Sequence, residues 1–205
     1  MDAGTVFTTV SLMMLANACV LSVVSRDLPN ALRPAARFWQ LGTVLIAGGC
    51  AVFAFGHPLP RPLMLVCANG PMAFGLTAYY AAVQQFYGGR PKAWQLLPAI
   101  VATAGVLWFS VVTPDFQIRV VIVSISWAFL MGASIWTLLF KASEDTSHSR
   151  KILIGLFALG VIYGLGRLIA YLLMDIGRDF AVESGTSWLN LLSPIVMTLL
   201  PVVGT

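Results

Sequence analysis

Apolar residues run along this chain in blocks, each close to the ~20 residues that a helix needs to cross about 30 Å of hydrocarbon. Seven such blocks occur, at 4–25, 38–56, 62–86, 94–113, 118–140, 152–174 and 188–205. The pattern predicts a single-domain, all-α membrane protein with seven transmembrane helices. The connections between the blocks alternate in charge. The first (Arg26 to Arg37), the third (Arg90, Lys92) and the fifth (Lys141, Arg150, Lys151) hold eight of the twelve cations, whereas the alternate ones hold only Arg61, Arg119 and Arg178. An excess of Lys and Arg marks the cytoplasmic side, so the N-terminus is expected outside and the C-terminus in the cytoplasm. The longer outer connection, Asp175 to Ser187, reads as a solvated loop or as a lid over the outer end.

Composition agrees with the blocks. The 205 residues are 59% hydrophobic and only 10% charged, against about 25% charged in soluble domains. Mean hydropathy is +0.87. The net charge of +4 follows the loop asymmetry and is not a nucleic-acid footprint. Cys19, Cys50 and Cys67 lie singly in different blocks and read as small buried apolar side chains, so no metal site is expected. The opening MDAG carries an acid where a signal peptide needs a positive region, so the first span is retained. The last span is eighteen residues with no basic anchor after it, which suggests a piece of a longer chain.

Within this apolar background the sixth block places one guanidinium, Arg167, well inside the span. An intramembrane charge is costly and marks a site by default. Tyr163, Arg167 and Tyr171 follow at i, i+4, i+8 on one helix face, and Gly160 and Gly164 form a GxxxG pair that admits a close neighbour. No predicted span contains Asp or Glu, which leaves three accounts of Arg167: a bound anionic group, carbonyls and hydroxyls of other helices, or a side chain that snorkels to the outer boundary roughly 11 Å away. The third block is the next most polar. Asn69, Ala73, Thr77, Tyr80 and Gln84 fall within about 80° of arc, so they form one stripe expected to face protein. Pro71 removes a backbone hydrogen bond near Asn69, and the freed carbonyls are candidate acceptors for a cation such as Arg167. Asn69 and Arg167 lie at similar depth. An outer-half pocket bounded by the third and sixth helices is therefore expected, with Asn69, Thr77, Tyr80, Tyr163, Arg167 and Tyr171 as candidate ligand contacts.

The fifth block adds Trp127, which with Ser134 reads as core or as the floor of that pocket. In the second block Gly42, Gly48 and Gly49 permit close packing. Pro194 and Pro201 share a face of the seventh block and make it deformable, a candidate output helix. Several chemistries are disfavoured. Lys92, Lys141 and Lys151 all lie at loops or helix ends, so none suits a retinal Schiff base. His57 and His148 are expected on opposite sides of the membrane, which disfavours haem. No HExxH, GxSxG, P-loop or paired carboxylate is present, so no enzyme is read in these residues. A small transporter or facilitator is the alternative, weakened by the lack of an intramembrane acid and of an internal repeat.

Three stretches, RDLPNALRPAARFWQLG, ANGPMAFGLTAYYAAVQQFYGGRP and GLGRLIAYLL, resemble the N-terminal seven-helix sensor regions of bacterial GGDEF-type diguanylate cyclases. Related input regions precede histidine kinases. The resemblance implies a bacterial inner-membrane signal-input module, a small apolar or amphipathic ligand or membrane lipid as partner, a homodimer, and a last helix leading to a cytoplasmic domain that makes cyclic di-GMP. That domain would use GTP and Mg. No cofactor is expected in this chain, which lacks the GGDEF motif.

Overall fold

Once a chain segment lies in lipid, its amides have only one another to bond, so apolar blocks of this length become helices. The computed structural model describes residues 3–141, 145–173, 196 and 198–200. Among them all regular structure is helical: α1 (Ala3–Asp27), α2 (Arg33–Phe55), α3 (Arg61–Phe86), α4 (Leu97–Val111) entered by a 3₁₀ turn at Ala93–Leu96, α5 (Phe116–Trp136) continued by a π-helical turn at Thr137–Lys141, and α6 (His148–Leu173). Helical hydroxyls bond back to their own helix four residues earlier, as Thr43 to Trp39, Thr77 to Ala73, Thr103 to Ala99 and Ser134 to Leu130. Those polar groups therefore need neither lipid nor a partner helix. Five helices, α1, α2, α4 with its 3₁₀ turn, α5 with its π turn, and α6, are long and apolar enough to cross a membrane. The chain has the character of a multi-pass helical membrane protein.

α2, α5 and α6 begin earlier than the apolar blocks predict. α2 opens at Arg33, with Pro34 in its first turn, so the basic connection is partly helical. Arg33 donates to the carbonyls of Leu28 and Arg26, which closes α1 onto α2 within a few residues. We call the end carrying this connection the basic end and the other the distal end. At the basic end Trp136 and Phe140 pack with ring centroids 4.0 Å apart and stay exposed, as does Trp94. Exposed Phe55 and Trp108 mark the distal end. Aromatic rings at both rims suit the two membrane interfaces.

α3 is the hub. It packs against α2, α4 and α5, while α1 packs on α2 and α6 on α5. From Met72 to Gln84 every residue except Phe74 is buried. The polar residues expected to form one protein-facing stripe therefore sit on a helix enclosed on nearly all sides over this length. This explains why α3, at 26 residues, is less apolar than its neighbours: a helix shielded by others needs no lipid-compatible face. Contact with α2 is made through glycine. A Cβ on Gly42 would lie 2.7 Å from the Tyr79 ring and 2.8 Å from the Gly75 carbonyl, and one on Gly49 2.6 Å from the Ala68 carbonyl. Gly48, expected to share this role, faces open space. Between the two helices Trp39 packs on Tyr79 at 4.5 Å, and Tyr79 shares a 3.0 Å hydrogen bond with Thr43. Cys19, Cys50 and Cys67 are free thiols, but only Cys50 is buried, and Cys19 is exposed, contrary to the expectation of three buried side chains. Of the predicted seventh span, Leu200 joins the main core, whereas Pro194 and Pro201 and the 175–187 connection lie outside the described residues.

Candidate functional site

Arg167 belongs to the seam between α5 and α6. The buried residues of α6 are Phe157, Gly160, Gly164 and Tyr171. Their spacing of three, four and seven leaves Arg167 as the missing member of a 3-4-3-4 series facing the partner helix. The opposite wall agrees. A Cβ on Gly160 would meet the Met131 side chain, one on Gly164 would come within 3.8 Å of the Ser124 carbonyl, and the Tyr171 ring meets Phe116 edge-on at 5.5 Å. The GxxxG pair thus does what its small profiles permit, on α5. Arg167 is half-buried, its Nε is sequestered, and its side chain makes no hydrogen bond or ion pair with the described residues. The facing wall carries two more buried polar atoms without a hydrogen-bond partner, Ser124 Oγ and Trp127 Nε1.

The residues expected to share a pocket divide between two places. α3 and α6 do not approach each other among the described elements, because α5 packs between them. Arg167 and Tyr171 therefore lie on the face of α6 turned to α5, with Tyr163 half-buried on its flank. Asn69, Thr77 and Tyr80 stand on the hub, where the amide of Asn69 donates to the Leu65 carbonyl at 2.9 Å and the hydroxyl of Thr77 to that of Ala73 at 3.1 Å. The carbonyls freed near Pro71 accordingly belong to a helix that does not touch Arg167's. Trp127 is buried in the main core, and Ser134 beside it is satisfied by its own helix.

A cavity opens instead at the distal end, with a volume of about 280 Å³. α3 contributes Arg61, Pro62 and Leu65, the end of α4 and its connection contribute Ser110 and Pro114, and α5 contributes Phe116 and Arg119. The sequence reading counted Arg61 and Arg119 only as loop cations. α5 in fact begins at Phe116, with Asp115 as its N-cap accepting from the Ile118 amide at 3.0 Å, so Arg119 lies inside the helix. Its guanidinium rests 5.7 Å from the centre of the Phe116 ring, Nη1 donates to Ser110 Oγ at 3.0 Å, and Nε is buried without a partner. Phe116 is also the ring that Tyr171 touches, so the cavity and the seam share a wall.

At the basic end several polar side chains pair with one another. The buried amide of Gln95 donates to Gln84 at 2.7 Å and tethers the 3₁₀ turn to α3. Gly88, with φ of 73°, turns the chain out of α3, and Tyr87 donates to the Asp145 carboxylate at 2.8 Å. Asp145 also accepts from the Ser147 amide, Ser147 caps α6 through the Arg150 amide, and Arg150 Nη1 donates to the Asp145 carbonyl. The Asp145 carboxyl is held below its ordinary range, first by the Ser147 amide and then by the Tyr87 and Ser147 hydroxyls. Burial, followed by the hydrogen bond to that carboxylate and its charge, pushes the Tyr87 phenol up to about 12. No protein-family model, curated protein or solved structure matches the chain.

Proposed function

We propose that this chain is the signal-input module of a bacterial inner-membrane protein, with seven spans, the basic end in the cytoplasm and the N-terminus outside. A small apolar or amphipathic ligand occupies the α5–α6 seam and pairs an acceptor with Arg167. One observation carries the reading: a guanidinium in the seam of a membrane helix, its Nε sequestered and unpartnered among the described residues. A charge so placed is destabilising until a partner arrives. A charge-assisted contact is worth about 1.5–3 kcal/mol, a useful fraction of the bias that shifts a two-state element. Membrane lipid is the competing source of that acceptor. Output passes through the last helix, where Pro194 and Pro201 provide compliance, to a homodimeric cytoplasmic diguanylate cyclase domain that uses GTP and Mg. The likeness of the sequence to such sensor regions supports this part of the reading.

The test is Arg167→Ala in the full-length protein, with cyclic di-GMP measured in cells at matched membrane abundance. Removing a half-buried charge that has no partner among the described residues should leave the protein at least as stable, while output changes by at least about threefold, as expected from a contact worth about 1.5–3 kcal/mol. Unchanged output at equal abundance would remove the basis for a sensing role.

A further inference from the structure

We infer that the distal cavity between α3, α4 and α5 is a binding site for an oxyanion, carboxylate or phosphate, carried on an apolar body. The inference concerns the isolated chain and does not need the signalling role. Arg61 and Arg119 line one cavity and stand close enough for their charges to oppose each other. Holding two cations together without an anion is unfavourable wherever water is scarce. Asp115, whose charge reaches Arg119, caps α5 through the Ile118 amide. One carboxylate against two guanidiniums leaves the charge among the described residues positive.

Arg119 is held as a fixed receptor. Ser110 takes one of its five N–H donors and Phe116 lies beneath it, so the guanidinium is oriented while Nε, desolvated, has no acceptor among the described residues. A planar fork of this kind pairs two donors with one carboxylate or phosphate. The N-terminus of α3 also borders the cavity and has no side-chain cap, and the positive end of its dipole favours negative charge in the same place. A bare ion would use little of the space. The remaining wall is Leu65, Phe116 and prolines, and about 280 Å³ exceeds several times the roughly 30 Å³ that one water occupies in the liquid. Charge at one side and hydrocarbon at the other, at the end of a membrane bundle, describe an amphiphile with its headgroup on Arg119 and Arg61. A lipid phosphodiester and a free fatty carboxylate present the same chemistry.

The whole chain, purified in the non-ionic detergent dodecyl maltoside, would be titrated with radiolabelled decanoate and with inorganic phosphate. Mass spectrometry of the intact protein would report phosphatidylglycerol carried from the membrane. Saturable decanoate binding, near one per chain, is expected to weaken by about tenfold or more in Arg119→Gln, the loss typical of one charge-assisted contact. Arg61→Gln, at an exposed helix start, should weaken it less, and Arg26→Gln at the basic end should leave it unchanged. Phosphatidylglycerol retained by the wild type and lost in Arg119→Gln assigns the site to lipid; decanoate binding without such retention assigns it to a free carboxylate. Binding indifferent to both Arg61→Gln and Arg119→Gln, or equally weakened by Arg26→Gln, overturns the inference. Inorganic phosphate binding as tightly as decanoate overturns the amphiphile.

Discussion

At the scale of single residues, local chemistry was legible where a side chain answers to its own helix and obscure where it answers to another segment. Thr77 and Ser134 return their hydroxyls to backbone four residues earlier, which their position in apolar helices makes natural. Tyr87 and Asp145 lie far apart in sequence, and nothing in either stretch announces their 2.8 Å contact. That contact carries a pH signature. A carboxyl depressed on folding contributes stability that is present above the ordinary Asp value of about 4 and is lost as pH falls through the depressed value. A phenol raised to about 12 contributes below its ordinary value of about 10, and the contribution is lost as pH rises through about 12. Tyr87→Phe should therefore melt below the wild type at pH 7, and the gap should narrow progressively as pH falls below about 4. Melting curves in detergent across an acid series check this; a gap unchanged until the wild type itself unfolds would show that the carboxylate is not the stabilising partner.

At the scale of elements, period and length are written along the chain, but the identity of the neighbouring helix is not. Gly42 and Gly48 look alike in sequence, each small and each inside an apolar block. Only the packed pair separates them: a methyl on Gly42 meets a ring and a backbone carbonyl under 3 Å away, whereas one on Gly48 meets nothing within 4 Å. Gly42→Ala should cost about 1–3 kcal/mol, because the Gly75 carbonyl has no rotamer by which to withdraw. Gly48→Ala should be neutral or more stable by up to about 1 kcal/mol, through helix propensity alone. Thermal unfolding of the two variants decides this, and similar losses would mean that α2 and α3 do not pack as described. The same reasoning applies to the candidate site. The face Tyr163–Arg167–Tyr171 could be read from i, i+4 spacing, yet spacing could not say that α5, and not α3, lies opposite.

At the scale of the whole molecule, the alternation of basic and nearly charge-free connections predicts which loops share a side of the membrane. With the native cysteines replaced, His57→Cys should react with a membrane-impermeant maleimide added outside sealed cells. Thr146→Cys, on the exposed turn before α6, should react only after the membrane is opened. Labelling of Thr146→Cys from outside would reverse the orientation. The distal cavity exists only at this scale. Arg61 and Arg119 are separated by two helices and two connections, and they meet because α3 and α5 both pack on α4 with their N-termini at the same end.

From its residues alone the protein was committed to lipid, to helices of about these lengths, to a polar stripe on the third helix and to a costly charge in the sixth. Each of these is a sum over neighbouring residues: transfer free energy, backbone hydrogen bonding and desolvation accumulate along a segment whatever surrounds it. The tertiary structure alone decided that α5 separates the hub from α6, that Arg167 faces a seam rather than a cleft between the third and sixth helices, and that two arginines counted as loop charges share one cavity. Lipid tails are as apolar as the side chains they would replace, so hydrophobicity does not choose among lateral neighbours. That choice falls to the shape of glycine notches and large rings, which meet only after the helices have formed.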